Sequence, residues 1–226
     1  MKPSSDDTLF LPRGRAARAA RSGAGWTLPP HLQEQLPRRL RNVAFLYSGA
    51  YFLSGLLPDL VTGRTTEFFA NPARWIPTLA SILGGVAVAL LAASPRISWR
   101  AKMHLGLVFE VMGSYGIGGV MYAWAEQYRD TPIVFFAIGP SWGAMCMLVY
   151  SIVVPAPPGR ALLAMIASAS APPVLIGYSL NQAGLTHIFT PETFFLTHIF
   201  PYMICVALAY ASARIMVTLA ADVSRA

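Results

Sequence analysis

Charged residues are scarce in this chain of 226 residues: they make up 12% of it, whereas hydrophobic residues make up 55%. Because soluble domains carry about 25% charged residues, this composition excludes an ordinary soluble domain and favours an integral membrane protein. Cysteine is equally rare. Cys146 and Cys205 both lie inside apolar segments, where a thiol behaves as a small hydrophobic side chain. They therefore predict neither a disulfide framework nor a metal site.

Recognisable catalytic motifs are missing as well. The sequence contains no nucleophile elbow, no Cys-x-x-Cys pair, no His-Glu-x-x-His and no kinase catalytic loop. Gly116, Gly118 and Gly119 lie inside an apolar segment with no lysine after them, which indicates helix packing rather than phosphate binding. We therefore predict no catalytic residue, no metal and no cofactor in this chain. Whether it belongs to an enzyme stays open.

Positive charge is concentrated at the start of the chain, where the first 41 residues hold 8 of the 17 lysines and arginines. Glycine, alanine, serine, arginine and proline dominate residues 1–41, which predicts a flexible cytoplasmic tail in contact with anionic lipid headgroups. Arg13 to Arg21 leave two alternatives open, a short basic helix on the membrane or an organellar transit peptide. The basic balance comes from this tail and from loops, so it does not indicate a nucleic-acid partner.

Six apolar segments follow the tail, and each is near the roughly 20 residues that a helix needs to cross a bilayer. They are 43–61, 75–93, 104–125, 133–154, 160–180 and 194–214. The pattern predicts an all-α integral membrane bundle of six transmembrane helices over residues 42–214. The tail and alternate loops carry 14 lysines and arginines and the opposite side carries 3, so the positive-inside rule places both termini on the cytoplasmic side of the inner membrane.

Small residues, prolines and aromatic residues predict how these spans pack. Small residues at four-residue spacing, such as Ser81 with Gly85 and Ser114 with Gly118, let membrane helices approach closely, which favours a compact bundle and is compatible with a homodimer. Prolines inside spans predict kinks; they are Pro140, Pro172, Pro173 and Pro201. Aromatic residues near span ends predict interfacial anchors; they are Trp75, Trp99, Trp124, Tyr128 and Tyr150.

Four residues are candidates for binding a ligand or sensing protons. Glu110 lies deep in the third span, where an ionisable group is costly and marks a functional site or a structural hydrogen bond. His187, Glu192 and His198 surround the loop between the fifth and sixth spans. The imidazoles of His187 and His198 can bind a metal or sense pH, although the spacing of the three residues matches no standard zinc pattern. The alternative is that these residues only make the loop polar and have no such function.

The sixth span predicts a helix that leaves the membrane. No glycine or proline follows Arg214, so the helix is expected to continue through residues 215–226 as a cytoplasmic exit helix. Arg214, Asp222 and Arg225 are the charged positions on this coupling helix.

Several stretches resemble a known family. They are Gly25-Trp26-Thr27-Leu28-Pro29-Pro30-His31-Leu32, Pro37-Arg38-Arg39-Leu40-Arg41, Val153-Val154-Pro155, Pro158-Gly159-Arg160-Ala161-Leu162-Leu163 and Tyr210 to Ala226. Together they resemble the N-terminal multi-span membrane region of membrane-bound bacterial serine/threonine protein kinases. In those proteins the kinase domain follows this region, so the resemblance implies a kinase domain after Ala226.

Two functions are consistent with these features. The resemblance implies a membrane anchor and sensor module that couples its last transmembrane helix to a cytoplasmic effector. A small stand-alone transporter or channel is the alternative, because Pro172, Pro173 and Pro201 interrupt spans as broken transporter helices do.

Overall fold

The computed structural model describes residues 30–127, 142–182, 184 and 186–223. This part of the chain is all-helical. The α-helices in chain order are α1 (Pro30–Tyr51), α2 (Leu57–Val61), α3 (Thr65–Ala70), α4 (Pro72–Ala93), α5 (Trp99–Gln127), α6 (Trp142–Val153), α7 (Pro158–Gln182), α8 (Pro191–Phe194) and α9 (Phe200–Val223). Two π-helical turns, Phe52–Leu56 and Phe195–Ile199, precede α2 and α9, and a 3₁₀ turn covers Thr186–Ile188.

Four helical segments are long and apolar enough to cross a membrane: Leu32–Val61, Pro72–Ala93, Pro158–Gln182 and Pro191–Met216. They support the prediction of a membrane protein and correspond to the first, second, fifth and sixth predicted spans. The third predicted span lies within α5, which has 29 residues. The fourth is described only from Trp142 onward, within α6.

The first helix begins earlier than expected. The predicted flexible tail extends to Arg41, but α1 starts at Pro30, and Leu36 and Leu40 are completely buried. These leucines are four residues apart and continue the apolar face that Val43 and Ala44 present to the core, so burial extends the helix back into the basic region. Residues 30–41 are therefore helical rather than flexible, while residues 1–29 lie outside the described part of the chain.

Helices α1 and α4 approach each other closely at a pair of small residues. The Ser48 hydroxyl donates to the carbonyl oxygens of Ala44 and Ile82, each at 3.0 Å. A Cβ at Gly85 would lie 2.9 Å from the Ala44 carbonyl oxygen. Only a residue without a side chain fits here, which confirms helix packing for the predicted pair Ser81 and Gly85.

A second close contact joins α5 to α7. A Cβ at Gly118 would lie 2.6 Å from Cδ1 of Leu175, and Ser114 on the same face is buried. The hydroxyls of Tyr115 and Ser170 are 3.1 Å apart. The predicted pair Ser114 and Gly118 therefore also lies at a helix interface.

The two π-turns share one physical cause. Pro58 and Pro201 have no backbone N–H to donate, and their rings crowd the carbonyl four residues back. In each case the residue before the proline makes a wider bond: the N–H of Leu57 donates to the Phe52 carbonyl oxygen and that of Phe200 to the Phe195 carbonyl oxygen. The expected irregularity at Pro201 is thus a π-turn.

The other predicted kinks differ from Pro201. Pro172 and Pro173 lie inside α7, which stays α-helical across both of them. Pro140 lies outside the described residues.

An ion pair closes the turn between α2 and α4. Nη2 of Arg74 lies 3.1 Å and 2.9 Å from the two carboxylate oxygens of Asp59, which is only 1% exposed. The guanidinium also lies 5.8 Å from the ring centre of Phe68, the buried residue of α3. This pair ties the end of the first membrane helix to the beginning of the second.

Candidate functional site

Four aromatic rings form a layer in the middle of the bundle. The Tyr47 ring lies 4.8 Å from that of Tyr51 and 5.1 Å from that of Phe109, and the Phe109 ring lies 5.8 Å from that of Tyr150. All four are buried. This aromatic layer (Tyr47, Tyr51, Phe109 and Tyr150) joins α1, α5 and α6 through edge and tilted ring contacts, which aromatic pairs prefer.

The hydroxyls of the layer differ in how they are satisfied. The Tyr47 hydroxyl donates to the Gly113 carbonyl oxygen at 2.9 Å. The Tyr150 hydroxyl is buried and has no hydrogen-bond partner among the described residues, whereas the Tyr51 hydroxyl lies beside Gly116 together with the hydroxyls of Tyr47 and Ser81. A buried hydroxyl without a partner costs about 1–3 kcal/mol, so the Tyr150 hydroxyl destabilises the layer in which it lies.

A crevice of about 580 Å³ lies beside the aromatic layer. Its lining is almost entirely apolar and comes from α1, the turn after it, α5 and α6: Val43, Leu46, Tyr47, Ala50, Tyr51, Ser54, Ile117, Val120, Met145, Cys146, Val149 and Tyr150. Leu46 and Met145 are more than half exposed. The crevice therefore opens on the outer face of the bundle, and its volume is typical of small-molecule sites.

Glu110 lies next to this crevice without lining it. Its side chain is 4% exposed, and its Oε1 has no hydrogen-bond partner among the described residues. A charge on Glu110 would act on the Cys146 thiol and the Tyr150 hydroxyl. No lysine or arginine of the described residues forms an ion pair with it, since the pair found there joins Asp59 and Arg74.

The three candidates near the outer loop have different surroundings. His187 is exposed and its Nδ1 lies 3.2 Å from the Gly184 carbonyl oxygen, and Glu192 is exposed in the first turn of α8. His198 is fully buried in the second π-turn, with its ring 5.2 Å from that of Phe194 and 5.5 Å from that of Phe189. Within the described ranges no three acidic, histidine or cysteine side chains are grouped to hold a metal ion.

His198 is polar in an apolar setting. Neither ring nitrogen has a hydrogen-bond partner among the residues described. It lies in the π-turn Phe195–Ile199 that precedes Pro201. Of the four candidates, Glu110 and His198 are thus buried polar groups, and His187 and Glu192 are surface groups.

The charged positions of the predicted coupling helix fall on α9. Arg214 is exposed, and its Nη1 lies 3.4 Å from the Tyr210 hydroxyl. The backbone of Asp222 is within the helix, while its side chain and Arg225 lie outside the described residues.

Part of this site differs from what the sequence predicts. Tyr150 was expected to be an interfacial anchor, but it is only 4% exposed and packs on Phe109, so that interpretation is wrong. Tyr47 and Tyr51 are not among the site residues that the sequence predicts. Their spacing could have identified them, because two phenols four residues apart lie on one face of an apolar span and their hydroxyls need hydrogen-bond partners there.

No family model, no curated protein and no solved structure matches this chain.

Proposed function

We propose that this chain is the membrane anchor and sensor module of a signalling protein, with α9 as the element that couples the bundle to a cytoplasmic effector. The observation that carries this proposal is the way α9 leaves the bundle. Tyr202, Ala209 and Ala213 are buried, whereas the described side chains from Arg214 onward are exposed. The ten residues from Arg214 to Val223 extend the helix by about 15 Å beyond Ala213.

A continuous helix transmits a displacement because its hydrogen-bonded backbone is rigid along its axis. A stimulus must favour one arrangement of the bundle over another by differential contacts. The contact between α9 and α6, where Tyr202 packs with Ala144 and Met147, is the place where a change at the crevice in α6 would reach the coupling helix.

We further propose that the chain has six spans and that both termini lie in the cytoplasm of a bacterium. The basic tail would then contact anionic lipid, and the effector would be a serine/threonine kinase domain. His104 and Arg160 support the orientation, because their side chains lie 3.1 Å apart and they are the first residues of the third and fifth predicted spans, which both begin on the positive side. The kinase is supported by the sequence resemblance alone.

Two measurements test the proposal. Single cysteines placed in the tail and after Val223, in a variant without Cys146 and Cys205, should both react with a membrane-impermeant maleimide only from the cytoplasmic side. Immunodetection of the native protein through its tail should reveal a product larger than 24.4 kDa with kinase activity. A native product of 24.4 kDa, or reaction of either terminus from the outside, would contradict it.

A transporter or channel is the second candidate, favoured by the buried and unpartnered oxygen of Glu110. Glu110→Gln in liposomes distinguishes the two functions, with the exposed Glu192→Gln as the matched control. Lost transport in the first variant alone would favour the second candidate. Unchanged folding with an altered output of the effector would favour the first.

A further inference from the structure

His104 and Arg160 meet where α5 and α7 begin. Nη1 of Arg160 lies 3.1 Å from Nε2 of His104, and both side chains are exposed. A guanidinium can only donate hydrogen bonds, so Nε2 of His104 is the acceptor. The imidazole in this arrangement is therefore neutral and carries its proton on Nδ1.

No carboxylate balances the charge of Arg160. In the described part of the chain the ion pair found joins Arg74 with Asp59. Neither residues 93–109, around the start of α5, nor residues 153–182, which include all of α7, contain an aspartate or a glutamate. Arg160 thus has a neutral imidazole as its partner, and most of its five N–H donors are available to an anion from outside the chain.

The other charged groups at this end of the bundle are also basic. A Cβ at Gly106 would lie 2.9 Å from Cγ1 of Val154 and 3.5 Å from Cδ1 of Leu40, which places the start of α1 and the end of α6 level with the start of α5. Residues 30–41, 93–106 and 153–164 hold seven lysines and arginines and one acidic residue, Glu34. The seven are Arg38, Arg39 and Arg41 on α1, Arg96 in the turn before α5, Arg100 and Lys102 on α5, and Arg160 on α7.

We propose that His104 and Arg160 bind a phosphate group between them, and that the imidazole takes up a proton when the phosphate binds. The planar guanidinium of Arg160 donates two parallel hydrogen bonds to two phosphate oxygens. Protonated His104 donates a third from Nε2, which can no longer accept from Arg160. Two cations this close repel each other unless an anion lies between them, so proton and phosphate bind together.

The phosphate belongs either to the headgroup of an anionic phospholipid or to a soluble phosphate compound, since both present the same oxygens. This site goes beyond the proposed function, because neither α9 nor the aromatic layer contributes to it.

Nuclear magnetic resonance of isotope-labelled histidine nitrogens tests the proposal on the full chain at neutral pH. The protein is held in nanodiscs of phosphatidylcholine, which has no net charge. In one arm inorganic pyrophosphate is added to the buffer, and in the other phosphatidylglycerol replaces part of the phosphatidylcholine. The His104 signal, assigned with His104→Gln, should change from a proton on Nδ1 alone to protons on both nitrogens.

The two arms distinguish the sources of the phosphate. A response to phosphatidylglycerol alone assigns a lipid headgroup, and a response to pyrophosphate assigns a soluble phosphate compound. His187 is the internal control, because it is an exposed histidine whose Nδ1 lies 3.2 Å from the Gly184 carbonyl oxygen. Its signal should stay the same in both arms.

Variants separate this site from the general basic charge of the surface. Arg160→Gln removes the paired charge-assisted hydrogen bonds, so the phosphate concentration at half response should rise about tenfold. Arg96→Gln removes the same charge from an exposed position at the same end, and at physiological salt it should change that concentration by less than about twofold. Each variant is first shown to elute as a monodisperse, helical protein.

Four results would overturn the inference. They are a His104 ring that carries its proton on Nε2 before phosphate is added, an unchanged His104 signal in both arms, an equal change at His187, and equal weakening by Arg160→Gln and Arg96→Gln. The last two would mean that phosphate acts only through the general charge of the surface.

Discussion

Gly84 and Gly85 are neighbours in α4 that offer a matched test of the helix packing. Replacement of glycine by alanine inside a helix raises the free energy of unfolding by about 1 kcal/mol, because alanine has the higher helix propensity. At Gly84 nothing lies within 4 Å of an added Cβ, so Gly84→Ala should stabilise the protein by about that amount. At Gly85 the same methyl group would lie 2.9 Å from the Ala44 carbonyl oxygen and nearer still to the Ser48 hydroxyl.

The expected cost at Gly85 has two parts. The carbonyl is backbone and cannot move without displacing α1, and such overpacking costs about 1–3 kcal/mol. Displacing the Ser48 hydroxyl also breaks its bond to the Ile82 carbonyl oxygen, a loss of about 1 kcal/mol. Because the propensity gain is common to both variants, Gly85→Ala should be less stable than Gly84→Ala by about 2–4 kcal/mol.

Equilibrium unfolding in mixed micelles of dodecyl maltoside and increasing dodecyl sulfate, followed by circular dichroism, measures this difference. The double variant Ser48→Ala with Gly85→Ala serves as a further control. It removes the nearer obstacle but not the carbonyl, so it should recover only part of the loss. Equal stability of Gly84→Ala and Gly85→Ala would refute the close contact between α1 and α4.

Other variants test the remaining buried polar groups in the same assay. Arg74→Ala should lower the free energy of unfolding by about 2–3 kcal/mol, because it leaves the buried Asp59 carboxylate unpaired; this value is already reduced to allow for the 40% exposure of the Arg74 side chain. Asp59→Asn should lower it by less, since the arginine can then turn to solvent. A larger loss in Asp59→Asn than in Arg74→Ala would contradict this reasoning. His198→Phe should raise stability by about 1 kcal/mol, because neither imidazole nitrogen has a partner in the described part of the chain; a loss of stability would mean that the imidazole has a partner after all. Gly118→Ala should change stability by less than about 1 kcal/mol, since the nearby Leu175 methyl is the end of a flexible side chain, and a larger loss would show that Leu175 cannot move.

Helix class and several helix bounds follow from local chemistry. Residues 75–93 were predicted as a span, and α4 covers Pro72–Ala93. Its start is encoded by Asn71, whose side chain accepts a hydrogen bond from the Ala73 N–H at 3.1 Å, followed by a proline at the first position. Such signals act within a few residues, which is why hydropathy and capping are enough to find the helix.

The crevice could not be predicted from any single segment of the sequence, because its lining comes from helices that are far apart in the chain. Whether Tyr150 lies at an interface or in the core depends on how far α6 is inserted and on which face of α5 offers Phe109. The phenols of Tyr51 and Tyr150 come from helices separated by about a hundred residues of sequence. Glu110 could be selected by its charge alone, but its lack of a partner is visible only once the neighbouring helices are placed.

The two π-turns have a consequence for how this protein tolerates changes in length. A π-turn is a helical turn that holds one residue more than an α-helical turn, so Phe52–Leu56 and Phe195–Ile199 are the places where these helices accommodate an additional residue. Deleting one residue there, together with replacing Pro58 or Pro201 by alanine, would restore a regular helix while keeping the face that each flanking helix presents to the bundle. The same deletion elsewhere in these helices would rotate every later side chain by about 100°.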